Sequence, residues 1–167
     1  SLTIEEGTKF FDRSSVKIDD EELSYEIFDY INNKGFHQYE ISNFAKNKES
    51  ESKHNYGYWQ HKEYLGVGAG AVGYVNKQRQ YPLKGIEEYI ENPLFYDFED
   101  IDESDVKTEK ILLGLRCSNG IEISLFNEQE LEKIDDLIKY DKVYIEDNKV
   151  FNKNFLLSDE LALYILD

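Results

Sequence analysis

The chain has 167 residues, 40% of them apolar and 14% aromatic, with 13 Tyr, 10 Phe and only two Pro. That length serves one ordinary domain or two small ones, and the aromatic content excludes a disordered tail or a collagen-like repeat. Lys and Arg number 19 against 35 Asp and Glu, a formal net charge of −16. A polyanion such as DNA would have to approach against that field, so nucleic-acid binding is disfavoured. No apolar run approaches the roughly 20 residues needed to span a bilayer, and nothing at the N-terminus has the pattern of a signal peptide. The single Cys117 excludes an intramolecular disulfide framework and any self-contained cysteine-based metal or iron–sulfur site. A soluble, cytoplasmic protein is the expectation. There is no Met, so Ser1 is expected to be a processed or cut end.

In chain order, Leu23, Ile27, Tyr30 and Ile31 recur at helical spacing and predict a helix from Asp19 to Asn33. Asp19 or Asp20 would cap it, Glu21 and Glu22 suit its positive start, and Gly35 would take the left-handed position after its end. Phe36 to Phe44 alternates Tyr39, Ile41 and Asn43 against Glu40, Ser42 and Phe44, which predicts one strand and so an αβ unit. The polar residues 45–53 predict a solvated loop. From His54 to Val75, aromatics (Tyr56, Tyr58, Trp59, Tyr64) stand beside the glycine-rich run Gly66 to Gly73. Gly73 to Val75 and Gln78 to Tyr81 flank Asn76-Lys77, a two-residue hairpin turn. A short helix follows from Gly85 to Glu91 and stops at Asn92-Pro93.

The acidic residues 97–105 carry no apolar stripe and predict a linker between a first part, 1–96, and a second, 106–167. Beyond it, one helix is expected over Val106 to Arg116 with Ile111, Leu112 and Leu115 inward. A second is expected over Phe126 to Lys139 with Leu131, Ile134, Leu137 and Ile138 inward. Val143 to Ile145 and Val150-Phe151 form a hairpin, and Ser158 is expected to cap a last helix bearing Leu161, Tyr164 and Ile165. The order helix, helix, hairpin, helix is winged-helix-like, and the fold class expected for the chain is α/β (α+β).

The glycine run matches a dinucleotide-binding pattern, but that reading needs a strand before it and a helix after it, and a hairpin follows instead. The glycines therefore mark backbone passing close to a neighbouring strand or to a ligand. Asp100-x-Asp102-x-Ser104 begins like a calcium loop but has Asp105 where Gly is needed and Ile111 where Glu is needed. His37, His54 and His61 lack the spacing of a zinc site. His54 alone enters a run of flat aromatic surface, the setting in which an imidazole can serve a porphyrin iron; the same aromatics also suit a plain core. Cys117 reads as a buried, inert thiol.

Four blocks in this order resemble one family: Leu2-Thr3-Ile4-Glu5-Glu6-Gly7-Thr8, Tyr39-Glu40-Ile41-Ser42-Asn43-Phe44-Ala45, His54-Asn55-Tyr56-Gly57-Tyr58-Trp59, and Tyr64-Leu65-Gly66-Val67-Gly68-Ala69-Gly70-Ala71. The family is that of the radical S-adenosylmethionine enzymes grouped with oxygen-independent coproporphyrinogen III oxidase. The His-Asn-x-x-Tyr-Trp element resembles its haem-chaperone branch, and Gly114-Leu115-Arg116 with Gly120-Ile121 resembles the start of the family's C-terminal helical domain. The resemblance implies that 1–96 is the C-terminal part of a partial TIM-like barrel and 106–167 the appended helical domain. It implies His54 as haem-iron ligand, with Asn55, Tyr58 and Trp59 shaping the haem surface. Gly68, Gly70, Ala71 and Val72 would lie against S-adenosyl-L-methionine, and Ser1 near a second such contact. Many relatives have Gly-Pro-Gly-Ala-His-Ser where this chain has Gly68-Ala69-Gly70-Ala71-Val72-Gly73, so no polar role is expected at Val72 or Gly73.

The implied function is haem binding and delivery to an acceptor protein, which can be membrane-associated although this chain has no membrane segment. The alternative is oxidative decarboxylation of coproporphyrinogen III in haem synthesis. A second alternative, outside the family, is a non-enzymatic winged-helix interaction module. A [4Fe–4S] cluster would belong to an upstream half of the same protein, which the resemblance makes a partner, and this chain by itself is not expected to be catalytic. At low salt the chain is expected to leave duplex DNA unretarded in a gel; a retarded band would restore the nucleic-acid reading.

Overall fold

Helix α1 (Glu21–Asn33) opens the part of the chain that the computed structural model describes, residues 21–167. The expectations for Ser1, for the 2–8 block and for Asp19 and Asp20 as caps lie outside these residues. The contacts divide the chain into two units, Ser1–Glu51 and Ser52–Asp167.

In the first unit α1 ends as its sequence predicts. Gly35, at φ 83°, donates its N–H to Asn32 O at 2.9 Å, and the Lys34 N–H reaches Ile31 O at 3.0 Å. The apolar stripe is only half used, because Leu23 and Ile31 are half-buried while Ile27 is 47% and Tyr30 64% exposed. The strand expected over Phe36–Phe44 is instead a tight hairpin of β1 (His37–Gln38) and β2 (Phe44–Ala45), with His37 opposite Ala45. Glu40 explains the fold-back. It is buried, and its carboxylate accepts the Ser42 N–H at 3.1 Å and the Asn43 side-chain amide, holding the chain in a turn. An alternating pattern reads the same in one strand as in two strands folded on each other.

The second unit begins with α2 (Lys53–Trp59) and a three-stranded antiparallel sheet. Its strands are β3 (Gly73–Val75), β4 (Gln78–Pro82) and β5 (Tyr96–Asp100), with α3 (Ile86–Glu91) between the last two. Asn76 and Lys77 make the predicted turn, at φ 54° and 58°. The expected acidic linker at 97–105 does not exist as such. Its first half is β5, paired along all of β4 from Gln78–Asp100 to Pro82–Tyr96. Its second half starts α4 (Glu103–Gly114), where Asp102 and Asp105 exchange hydrogen bonds of 2.9 and 3.1 Å in a capping box. Acidic side chains suit both places, guarding a sheet edge and complementing a helix start.

From α4 onward the chain alternates β6 (Ile121–Glu122), α5 (Glu128–Lys139), β7 (Val143–Glu146), β8 (Lys149–Asn152) and α6 (Ser158–Leu166). The strands form one antiparallel sheet in the order β6-β8-β7. This is a winged-helix arrangement in which a 3-10 turn, Ile123–Leu125, stands where a second helix would. Ile111, Leu115, Ile121, Phe126, Ile134, Val143, Val150, Leu161 and Ile165 fill its core. A fully buried side chain of this kind contributes roughly 1.5–3 kcal/mol. Ile138, expected inside, is 37% exposed, next to the last residue of α5. Ser158 is not the expected cap either. It is the first helical residue, and its hydroxyl donates to Leu115 O at 3.0 Å and Phe155 O instead of accepting from the helix.

Asn152 joins three elements here. Its buried amide donates to Leu115 O at 2.9 Å and to Ser158 Oγ at 3.2 Å, and its Oδ1 accepts the Asn154 N–H at 2.9 Å. Asn152→Leu is expected to lower unfolding stability by about 1–3 kcal/mol, because the Asn154 N–H and Leu115 carbonyl lose a partner. A urea midpoint equal to that of the parent chain would contradict this role.

Candidate functional site

Helix α2 is seven residues long and starts at Ser52, whose hydroxyl accepts the Asn55 N–H at 3.3 Å. The four motif residues it carries divide between two faces, as 3.6-residue periodicity dictates. His54 and Tyr58, four apart, share one: both are exposed, and their rings meet edge-on at 4.8 Å. Asn55 and Trp59 share the other and are half-buried. The set read together from the sequence is therefore an exposed pair and a half-buried pair.

The His54–Tyr58 contact is the outer end of a ladder of rings. Tyr58 meets Tyr64 at 4.7 Å, Tyr64 lies 6.4 Å from Tyr74, and Tyr74 meets the His61 ring at 4.6 Å. Edge-to-face ring pairs add roughly 0.5–1.5 kcal/mol each beyond their burial. Backbone bonds lock the middle step, because Tyr64 and Tyr74 exchange two N–H···O bonds of 2.8 Å. At the inner end stands His61, a residue the sequence analysis left without a role. Its backbone is left-handed, at φ 55°, and its side chain is 6% exposed. The His61 Nε2 lies 2.6 Å from Glu109 Oε2, and Arg79 donates to the other Glu109 oxygen. Arg79 also lies 3.6 Å from Glu99, whose carboxylate accepts the Tyr81 hydroxyl at 2.5 Å. No local signal could have found this group, since Glu109 is 48 residues from His61.

These residues enclose a cavity of about 290 Å³ lined by Tyr58, His61, Tyr64, Tyr74, Arg79 and Leu112, among others. Burial pushes the Tyr64 and Tyr74 phenols above their ordinary value; Glu109 adds to the rise and Arg79 opposes it. Burial works against the charge on Arg79, but the hydrogen bond and charge of Glu109, together with Tyr81, outweigh it and push the Arg79 guanidinium above its ordinary value. The hydrogen bond to Glu99 raises the Tyr81 phenol, with burial second.

The glycine run lies between α2 and β3, closed at its base by the Tyr64–Tyr74 pair. A Cβ at Gly66 would fall 2.0 Å from Ala71 O, so the close neighbour at Gly66 is the loop's own backbone. Gly68 and Gly70 take positive φ, 118° and 70°, and a Cβ at Gly68 would meet nothing within 4 Å. The Gly70 N–H bonds Leu83 O at 2.9 Å, while Ala71 and Val72 are half-buried. Cys117 is 2% exposed with its thiol 3.8 Å from Gly114 O, as expected for an inert thiol. His37 belongs to the first unit, where its Nε2 lies 2.7 Å from Glu51 Oε1. Among the described residues no group of His, Cys, Asp and Glu is placed to hold a metal ion, and no helix is long and apolar enough to cross a membrane.

No family model matches the chain. It is similar to curated proteins: 34% identical over 149 residues to the Heme chaperone HemW of Bacillus subtilis (strain 168), covering 82% of this chain and 39% of that one. Against the Heme chaperone HemW of Lactococcus lactis subsp. lactis (strain IL1403) it is 28% identical over 180 aligned positions, covering 100% and 45%. The mitochondrial Radical S-adenosyl methionine domain-containing protein 1 of Danio rerio is 39% identical over 79 residues, 43% of this chain and 18% of that one. In structure the chain resembles coproporphyrinogen III oxidase (HemN) from Escherichia coli, described as a radical SAM enzyme. The TM-score is 0.61 at 12% identity, over 86% of this chain and 40% of that one. The last likeness concerns the fold. The chain spans about two fifths of the length of the curated heme chaperones it matches first.

The buried phenols give a pH test. Their folded values lie above the unfolded value of 10.0, so the stability they contribute is complete below pH 10 and is lost as pH rises through the folded values. Ultraviolet titration of phenolate is expected to show a late-ionising fraction, and Tyr74→Phe is expected to remove amplitude from that fraction. Loss of amplitude near pH 10 instead would contradict the assignment.

Proposed function

We propose, for a chain that belongs to the coproporphyrinogen III oxidase-like family of radical S-adenosylmethionine proteins and to its haem-chaperone branch, that it is the C-terminal, haem-holding part of a haem carrier. The observation that carries the reading is the exposed imidazole of His54 at the outer end of the ring ladder. A neutral imidazole is an axial ligand for haem iron, and flat aromatic edges suit the macrocycle. Tyr58 presents such an edge beside it. Haem is cargo in this reading, and an exposed ligand suits cargo that must leave for an acceptor protein, soluble or membrane-associated. Asn55 and Trp59, on the other face, would support the helix and not touch the haem plane.

The glycine loop supports a second assignment. Space beyond Gly68 and the half-buried Ala71 and Val72 suit close approach of S-adenosyl-L-methionine to Gly68, Gly70, Ala71 and Val72. An iron–sulfur cluster does not fit the residues present, because the one thiol, Cys117, is buried against its own helix end. We assign the cluster, and with it any radical chemistry, to the length of the relatives that this chain does not span. Decarboxylation of coproporphyrinogen III has no specific observation in its favour, since the likeness to the Escherichia coli enzyme speaks for fold alone.

His54→Ala is expected to weaken haemin binding about 10-fold or more, on the scale of disturbing a metal ligand's own support, and to remove the imidazole signature from the bound haem spectrum. An unchanged affinity and spectrum would retire His54 as ligand.

A further inference from the structure

Two buried donors in the second unit have no hydrogen-bond partner, the indole Nε1–H of Trp59 and the side-chain amide Nδ2 of Asn119. Native structures leave few such groups, because burying an unpaired donor is costly. Trp59 and Asn119 line one cavity of about 430 Å³, set among the end of α2, the end of α4 and the turn into β6. That volume lies within the roughly 300–1,000 Å³ typical of small-molecule sites. The turn is anchored from two sides. The Tyr56 hydroxyl lies 2.8 Å from Ser118 Oγ, and Lys149 donates to Asn119 O at 3.2 Å.

The chemistry of the lining is selective. Both unpaired groups are donors, so they call for an acceptor. Lys149 is committed to Glu122 at 3.3 Å, whereas Lys110 forms no ion pair among the described residues. One uncommitted cation favours a monoanion; a phosphate dianion would bring more charge than Lys110 offers and would face Glu122. Ile121 and Leu125 supply apolar wall. We propose that this cavity binds a small carboxylate with an apolar tail. Neither donor reaches solvent in the resting arrangement, so the proposal requires that binding turn the indole and the amide toward the cavity their residues line. The site is independent of the haem reading, because Trp59 and His54 lie on different faces of α2.

Trp59 is the only tryptophan, so the full ¹⁵N-labelled chain has a single indole N–H resonance to report on the site. Titration with hexanoate is expected to shift it saturably, with hexanol binding at least fivefold more weakly and inorganic phosphate giving no saturable shift at the same concentration. Lys110→Gln, at an exposed position that leaves the core intact, is expected to weaken hexanoate severalfold, as is Asn119→Leu. No saturable shift with hexanoate would overturn the proposal, leaving Glu122 or water to answer the two donors. Equal binding of hexanol, tighter binding of phosphate, or hexanoate affinity untouched by Lys110→Gln would each overturn it as well.

Discussion

The Glu109 carboxylate sits where the β3-β4-β5 sheet, the end of the α2 segment and helix α4 meet. One oxygen takes Arg79 from β4, and the other takes His61, which follows α2. With Glu109 at 23% and His61 at 6% side-chain exposure, the charge lies where water screens poorly, and removing one partner would strand the other. Two residues along the same helix, Ile111 begins the apolar core of the winged-helix part. The orientation of the ring ladder is thus referred, through one carboxylate, to the best-packed region of the chain.

That reference matters because α2 cannot hold itself. Seven residues are well short of the roughly 12–15 at which an isolated helix becomes marginal in water. Its position rests on the Ser52 cap at one end, on the Tyr56–Ser118 contact along it and on the ladder beside it. The ladder is graded. Tyr74 is 7% exposed and bonded on both sides of its backbone, whereas Tyr58 is 38% exposed and His54, in ring contact with Tyr58 alone along the ladder, is exposed as well. In the haem carrier proposed above, the packed inner end would give the ligand a fixed bearing and the exposed outer end an open side for exchange.

The parts of this architecture that local chemistry dictates were legible in the sequence. Asn76-Lys77 suits a tight turn and makes one, Gly35 suits the left-handed position after α1 and takes it, and the Ile134–Leu137 stripe of α5 had one face to bury. The failures share a cause. Glu40 folds a predicted strand back by bonding to residues two and three positions on, and alternation cannot report that. Residues 97–105 read as a linker because acidity masks the Tyr96–Phe98 alternation, while their pairing is decided by β4, whose residues precede their partners in β5 by between 14 positions (Pro82–Tyr96) and 22 (Gln78–Asp100). The motif around His54 was visible, but its division into two faces follows only once α2 is known to be a helix. His61 and Glu109 carried no signal at all, because their meaning lies in a contact that sequence spacing does not encode.

The winged-helix part is better understood through Glu109 than through comparison with nucleic-acid readers. In such a fold the helix before the hairpin, here α5, is the one that would enter a groove. Its outer surface carries Glu128, Glu132 and Asp135, all exposed, where phosphate recognition would need Lys and Arg. Its basic residue near the middle, Lys133, is turned inward to the Ile165 carbonyl and the Tyr164 ring. The α4 surface is put to use instead. Lys107 pairs with the Glu130 cap of α5 at 2.7 Å, and two residues on, Glu109 reaches Arg79 and His61. One helix therefore closes the core on one side and clamps the ring ladder on the other. A module whose reading helix is acidic and whose first helix anchors a neighbouring site serves that site as its foundation.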